Sequence, residues 1–270
     1  MKKEELKKGI YILPSLFTCG NMTFGLLSIM VSIKGEFIPA AWALVLSLFC
    51  DILDGRIARL THTTSEFGVQ LDSLSDLVSF GIAPAMLIYM LVLQSMGKIG
   101  VAIAVFFVLC SAMRLARFNV KAAGGSVANY FQGLPTPASA GVIISFVLSY
   151  ELLGPADTRL NFRTIPLLMQ NMPAFFKAMP IVMVVLSFLM VSNIPYYSFK
   201  HMELSKPRAV QLLVFVIVLA ILIIVFPQNI IFIIFSLYAL SGFAMLLTHF
   251  IRHRSRFGLA HAKDDDEDEE

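Results

Sequence analysis

The sequence predicts an all-α polytopic membrane protein of about eight transmembrane helices with both termini in the cytoplasm. Three observations carry that prediction. The 270 residues are 57% hydrophobic and only 14% charged, with a mean hydropathy of +0.78, too apolar for a soluble domain and ordinary for a membrane protein. Eight apolar stretches are each long enough to cross a hydrocarbon layer of roughly 30 Å as a helix. Lysine and arginine are divided unevenly between the two sides that those stretches define.

In chain order the stretches are 11–33, 37–60, 68–94, 97–118, 137–155, 176–195, 208–226 and 229–251. The first is interrupted by Pro14 and Asn21 and is too long for the apolar region of a cleaved signal peptide, so it reads as a span. The fifth and sixth have the softest edges, because apolar pieces between Gly154 and Phe175 suit the membrane interface. Before the first span stands a basic lead with Lys2, Lys3, Lys7 and Lys8, suited to a turn or two of helix on the membrane surface. With eight spans, sixteen basic residues fall on the side of the termini and five on the other, which places the termini and the 2–3 connection in the cytoplasm. The last seven residues are all acidic, a block that reads as solvated tail. The basic face beneath it suits anionic lipid headgroups. Nucleic-acid binding is excluded by the scatter of the basic residues and the lack of any binding motif. Cys19, Cys50 and Cys110 fall inside spans without metal-ligand spacing and read as small buried hydrophobes.

Carboxylates are expensive in and beside membrane helices, so a cluster of them marks function. Four stand at Asp51, Asp54, Asp72 and Asp76, where the second span ends and the third begins. Each pair, spaced i,i+3 or i,i+4, shares a helical face. Two antiparallel helices joined by a short turn would bring both faces to one depth and form a four-carboxylate cage. Such a cage suits hard divalent cations and a phosphate-bearing substrate. Gly55 and Ala58 keep the face beside Asp51 low, Gly68 does the same one turn before Asp72, and Arg59 brings a fixed positive charge for phosphate oxygens. His62 lies in the turn between the helices and reads as a loop residue, since metals and aspartates already cover the chemical roles.

The whole string, D-x2-D-G-x2-A-R-x8-G-x3-D-x3-D, resembles the signature of the CDP-alcohol phosphotransferase family at every fixed position. The resemblance implies a multi-pass enzyme of the cell inner membrane, its site facing the cytoplasm, in which an alcohol attacks the pyrophosphate of a CDP-linked alcohol and CMP leaves. It implies two divalent ions per subunit, Mg²⁺ or Mn²⁺, held by Asp51, Asp54, Asp72 and Asp76, with Asp76 also the general base. Gly55, Ala58, Arg59 and Gly68 would line the CDP site, and a homodimer is expected. The chain then divides into a juxtamembrane lead (1–10), catalytic helices (11–155), additional membrane helices (156–251) and a basic-then-acidic tail (252–270).

Four further stretches resemble the serine-accepting, membrane-bound branch of that family. They are Leu13-Pro14-Ser15-Leu16-Phe17-Thr18-Cys19-Gly20-Asn21, the run from Asp72 to Ala85, Arg114-Leu115-Ala116-Arg117-Phe118-Asn119 and Gly133-Leu134-Pro135-Thr136-Pro137. The resemblance covers roughly 11–145, and Ser15 departs from it where asparagine is usual. It implies CDP-diacylglycerol and serine as substrates. Serine carries a carboxylate, and Arg114, Arg117 and Asn119 supply charge and amide groups suited to it; either arginine alone also fits positive-inside anchoring. Thr18 and Asn21 either reach the nucleotide or hydrogen-bond between helices. Gly124-Gly125 in the 121–132 loop allows closure over the site or plain linkage. Glycerol 3-phosphate and inositol phosphate remain alternative acceptors, although no dense basic pocket for a phosphorylated one is visible. A cation transporter is the alternative outside the class; it would favour mid-membrane acids on broken helices and internal repeats, which this chain lacks.

Overall fold

The computed structural model describes residues 2–61, 65–123, 130–151 and 173–197, with 236, 237 and 241. Its architecture is a helical bundle. Helix α1 (Lys2–Ile33) pairs with α2 (Phe37–Thr61) through a tight turn in which Gly35 takes φ +82°, the left-handed conformation that closes many helix ends. Helix α3 (Glu66–Asp76) starts on Ser65, whose hydroxyl caps it by accepting from the Gly68 N–H at 3.0 Å. It continues through a π-helical stretch (Leu77–Ile82) into α4 (Ala83–Leu91), and together they make one span, Glu66–Leu91. A 3-10 turn (Leu93–Met96) and Gly97 lead to α5 (Lys98–Ala123). Strand β1 (Tyr130–Gln132), α6 (Thr136–Glu151), α7 (Pro173–Val191) and β2 (Pro195–Tyr197) complete the described chain.

Four helical segments, Pro14–Ile33, Phe37–Thr61, Glu66–Leu91 and Lys98–Lys121, are long and apolar enough to cross a membrane and coincide with the first four expected spans. The chain is an integral membrane protein. Helices α6 and α7 occupy the fifth and sixth expected stretches with shorter apolar parts, Thr136–Leu148 and Ala178–Val191. The expected seventh and eighth spans, 208–226 and 229–251, lie outside the described residues save for the three isolated positions, and the acidic tail lies outside them entirely.

Two features depart from the expected regular all-α chain. One is the π stretch, and the other is an antiparallel pairing of β1 with β2, Phe131 opposite Tyr196. The pair is the outer part of a longer zip between the chain after α5 and the chain after α7. Gly133 N–H donates to Ile194 O at 2.9 Å and Leu134 N–H to Leu189 O at 3.0 Å. Gly133 sits at φ +80° against Met190 O, where a side chain would have no room.

Lipid tails are as apolar as leucine, so helices in a membrane associate through close packing and hydrogen bonds rather than by escaping water. Helix α1 follows that rule. Its buried stripe is Pro14, Thr18, Asn21, Gly25, Ser28 and Ser32, a 3.5-residue repeat of small and polar groups. A Cβ on Gly25 would collide with the Ser79 side chain and lie 2.9 Å from its Cα, so glycine lets α1 touch the π stretch backbone to backbone. Gly81 leaves room for the Ser111 side chain of α5 in a similar way. The apolar core lies on the other side of these contacts, with Leu44, Phe80, Leu87, Phe107, Ile143 and Met183 fully buried. Helix α6 is buried on all faces from Ala138 to Leu148, as expected of a helix apolar all round. Phe106 of α5 and Phe188 of α7 meet at 5.4 Å between ring centroids.

Candidate active site

Where α2 ends and α3 begins, the aspartates converge. Asp51, Asp72 and Asp76 each place a carboxylate oxygen within 4.8 Å of the other two. Three carboxylates at that separation repel one another, and a cation between them removes the repulsion. The donor set is all oxygen, which matches hard divalent ions. Asp54 stands apart from this group, because three residues advance a helix by about 300° and leave Asp51 and Asp54 on diverging directions. It is 5% exposed, and its Oδ2 is buried with no hydrogen-bond partner. An orphaned carboxylate oxygen beside three clustered carboxylates is the state a metal or a phosphate-bound metal would satisfy. The four residues therefore fit a divalent-metal centre, though the single cage expected from the spacing is divided into a trio and a neighbour.

Beside the cluster a cleft of about 200 Å³ opens between α1, α2 and α3. Asp54 and Asp72 line it from opposite helices. All four residues expected on the nucleotide wall, Gly55, Ala58, Arg59 and Gly68, line it as well. A Cβ on Gly55 would meet only the Arg59 side chain, at 4.0 Å, so the glycine holds open space. Arg59 Nε donates to Gly55 O at 2.8 Å, which folds the guanidinium back along its own helix onto that wall. Sequence reasoning missed Pro14, Ser65 and Val69 on the same cleft; the N-cap pattern Ser65-Glu66 signals the second of these.

Asn21 is elsewhere. It is fully buried behind the cleft, and its Nδ2 donates to Asp76 Oδ1 at 3.4 Å. The Ser47 hydroxyl donates to Asn21 Oδ1, and Ser79 donates to the Asn21 main-chain oxygen at 2.9 Å. Ser75 likewise donates to Thr18 O at 3.0 Å. These hydroxyls bind α1 to α2 and to the chain that carries Asp76, and none was visible as a site residue from sequence spacing.

The three residues expected at the acceptor end of α5 take different positions. Arg114 is buried, donates to the Thr136 hydroxyl at 3.1 Å, lies 5.6 Å from the Phe118 ring centroid, and is near enough for its charge to act on Asp76. Asn119 donates to the Ser73 hydroxyl at 2.8 Å, beside Asp72. Arg117 turns to the end of α7, donating to Val191 O at 3.2 Å, Ser192 O at 2.9 Å and Asn193 Oδ1 at 3.0 Å.

Known proteins are similar to this chain in sequence. The family model described as CDP-alcohol phosphatidyltransferase matches residues 11–169. The chain is 36% identical over 233 residues to a protein of Helicobacter pylori named CDP-diacylglycerol–serine O-phosphatidyltransferase, covering 86% of this chain and 90% of that one. It is 34% identical over 152 residues to the Bacillus subtilis protein of the same name, covering 56% of this chain and 84% of that one. It is also 42% identical over 139 residues to the archaetidylserine synthase of Methanothermobacter thermautotrophicus, covering 51% and 58%. The carboxylate cluster, the cleft and these likenesses agree, and the chain belongs to the CDP-alcohol phosphatidyltransferase family.

Proposed function

We propose that the protein transfers the phosphatidyl group of CDP-diacylglycerol to L-serine, giving phosphatidylserine and CMP. One observation supports this above the others: the Asp51–Asp72–Asp76 trio shares Asp72 with a cleft lined by Asp54, Gly55, Arg59 and Gly68. Serine as acceptor is supported by the relatives' names, which change the lipid from diacylglycerol to archaetidyl and keep the serine. Arg114, buried beside Asp76, supplies a planar guanidinium for the serine carboxylate.

In this reading the lipid enters with its acyl chains still in the membrane. Gly55 and Ala58 admit the cytidine edge, and Arg59 binds phosphate oxygens. Asp51, Asp54, Asp72 and Asp76 would hold two divalent ions, Mg²⁺ or Mn²⁺, which would neutralise the carboxylates and supply charge stabilisation to the attacked phosphate. Arg114 and Asn119, with Arg117 fixing the helix end, orient serine. Asp76 takes the serine hydroxyl proton, the oxygen forms its bond to the lipid-bearing phosphorus, and the bond from that phosphorus to the bridging oxygen breaks. The electron pair leaves with CMP. No covalent enzyme intermediate is needed.

The same reading gives an eight-span, homodimeric protein of the cell inner membrane, its termini and site in the cytoplasm, with catalytic helices over 11–155. The test is CMP release by purified protein in detergent with CDP-diacylglycerol, Mn²⁺ and a panel of alcohols. Release with serine and not with glycerol 3-phosphate or inositol phosphate is expected; release with every alcohol except serine contradicts the assignment.

A further inference from the structure

We propose that Asn21 is a positioning residue for Asp76, with Ser47 holding the far end of its amide on α2. The inference rests on the reading of Asp76 as the group that receives the acceptor's proton. Asn21 is 0% exposed, so every polar group it carries must be matched inside the bundle. The Ser47 hydroxyl has one proton, and both oxygens near it belong to Asn21: the side-chain Oδ1 and the main-chain O at 3.2 Å. That leaves the oxygen end of the amide pinned on α2. The NH₂ end then points at Asp76 Oδ1, 3.4 Å away. A rotated amide would set oxygen against carboxylate, acceptor on acceptor.

The backbone of Asn21 is held from the opposite side as well. Ser79, inside the π stretch that begins one residue after Asp76, donates to Asn21 O at 2.9 Å. Gly25, one turn further along α1, allows that approach, since any side chain there would strike Ser79. Asn21 is therefore clamped between α2 and the π stretch, with a single function left for its amide protons. One carboxylate oxygen of Asp76 is committed to it, which restricts how the group can turn relative to Asp51 and Asp72. The α1 wall of the cleft is made instead by Pro14, Ser15 and Thr18, so Asn21 orients the carboxylate from behind and does not face the nucleotide.

The experiment follows CMP release in wild type, Asn21→Ala and Ser47→Ala while each substrate is varied, and adds Asp76→Ala and the Asn21→Ala/Asp76→Ala double variant for melting only. Melting temperatures are recorded with and without Mn²⁺. Outer residues that orient a metal ligand are worth about 10- to 100-fold. Asn21→Ala should lose that much in kcat, keep its KM for CDP-diacylglycerol within about 3-fold, and retain the Mn²⁺-induced rise in melting temperature. Ser47→Ala should show a smaller loss of the same kind, and it carries the test if Asn21→Ala does not fold. In the Asp76→Ala background, read by melting temperature, the Asn21 substitution should cost less than it does in wild type, because the acceptor of its amide is gone. The proposal is overturned if Asn21→Ala raises the KM for CDP-diacylglycerol with kcat intact. Equal falls in melting temperature in the wild-type and Asp76→Ala backgrounds, or loss of the Mn²⁺ response in Asn21→Ala, would overturn it too. If wild type releases CMP with an acceptor other than serine, the serine assignment fails while the same kcat ratios still judge Asn21.

Discussion

Asn119, near the C-terminal end of α5, donates its amide to the hydroxyl of Ser73 at 2.8 Å, and so ties the helix that carries Arg114 to the residue beside Asp72. The contact joins the wall assigned to the acceptor with the carboxylate cluster. A net hydrogen bond of this kind is worth about 1 kcal/mol, or roughly 5-fold in an equilibrium. Asn119→Ala is therefore expected to raise the KM for serine about 5-fold while moving that for CDP-diacylglycerol little. Steady-state kinetics with each substrate varied in turn checks it; an effect confined to the nucleotide lipid would place Asn119 on the wrong wall.

The two arginines one turn apart on α5 should separate into different phenotypes. Arg117 makes three hydrogen bonds to the chain at the end of α7, and a bond to a charged group is worth about 1.5–3 kcal/mol, less for the two that are exposed to solvent. Arg117→Ala should lower the melting temperature in detergent by several degrees, at about 2–4 kcal/mol lost in all. Arg114→Lys keeps the charge and loses the planar fork, so it should raise the serine KM about 10-fold or more. Thermal melts and serine titrations of both variants decide between this division of labour and its reverse.

Gly25 and Gly20 offer a matched steric pair on α1. A Cβ at Gly20 would make ordinary contact with Cys50 Sγ at 3.5 Å, whereas one at Gly25 meets Ser79 Cα at 2.9 Å. Gly25→Ala should cost about 1–3 kcal/mol through overpacking and reduce activity, since Ser79 and Asp76 belong to one helical run. Gly20→Ala should be close to neutral. Equal melting temperatures for the two variants would mean that the α1 contact with the π stretch is looser than described.

Mn²⁺ should raise the melting temperature of the wild-type protein, because a ligand that binds only the folded state stabilises it. The rise should vanish in Asp72→Asn, whose carboxylate belongs both to the trio and to the cleft wall. A full Mn²⁺ response in that variant would move the metal site elsewhere.

Much of the candidate site was legible in the sequence because its spacing is helical. Positions 51, 54, 72 and 76 on two adjacent helices had to meet near one depth, and Gly55, Ala58, Arg59 and Gly68 followed them onto one cleft. The first four spans were legible because continuous apolar runs leave few alternatives in lipid. What escaped was set by contacts across helices. Whether Asp54 joins the trio depends on about 60° of rotation about α2, which one aspartate spacing does not determine. Hydroxyls at 47, 75 and 79 look like ordinary small residues until their partners on α1 are known. Arg117 reads as membrane anchoring or acceptor binding because its acceptors lie more than seventy residues away in sequence. The β1–β2 pair is three residues on each strand, too short for any alternating pattern to announce it.

The most direct test of the central claim counts both products in metal-stripped and metal-reloaded protein. Purified chain treated with a chelator, then given CDP-diacylglycerol and serine, should form no phosphatidylserine. Adding Mn²⁺ should restore phosphatidylserine and CMP in equal amounts, and should fail to do so in Asp76→Asn. Phosphatidylserine formed by the metal-free protein, or by Asp76→Asn at the wild-type rate, would contradict a metal-assisted transfer built on these aspartates.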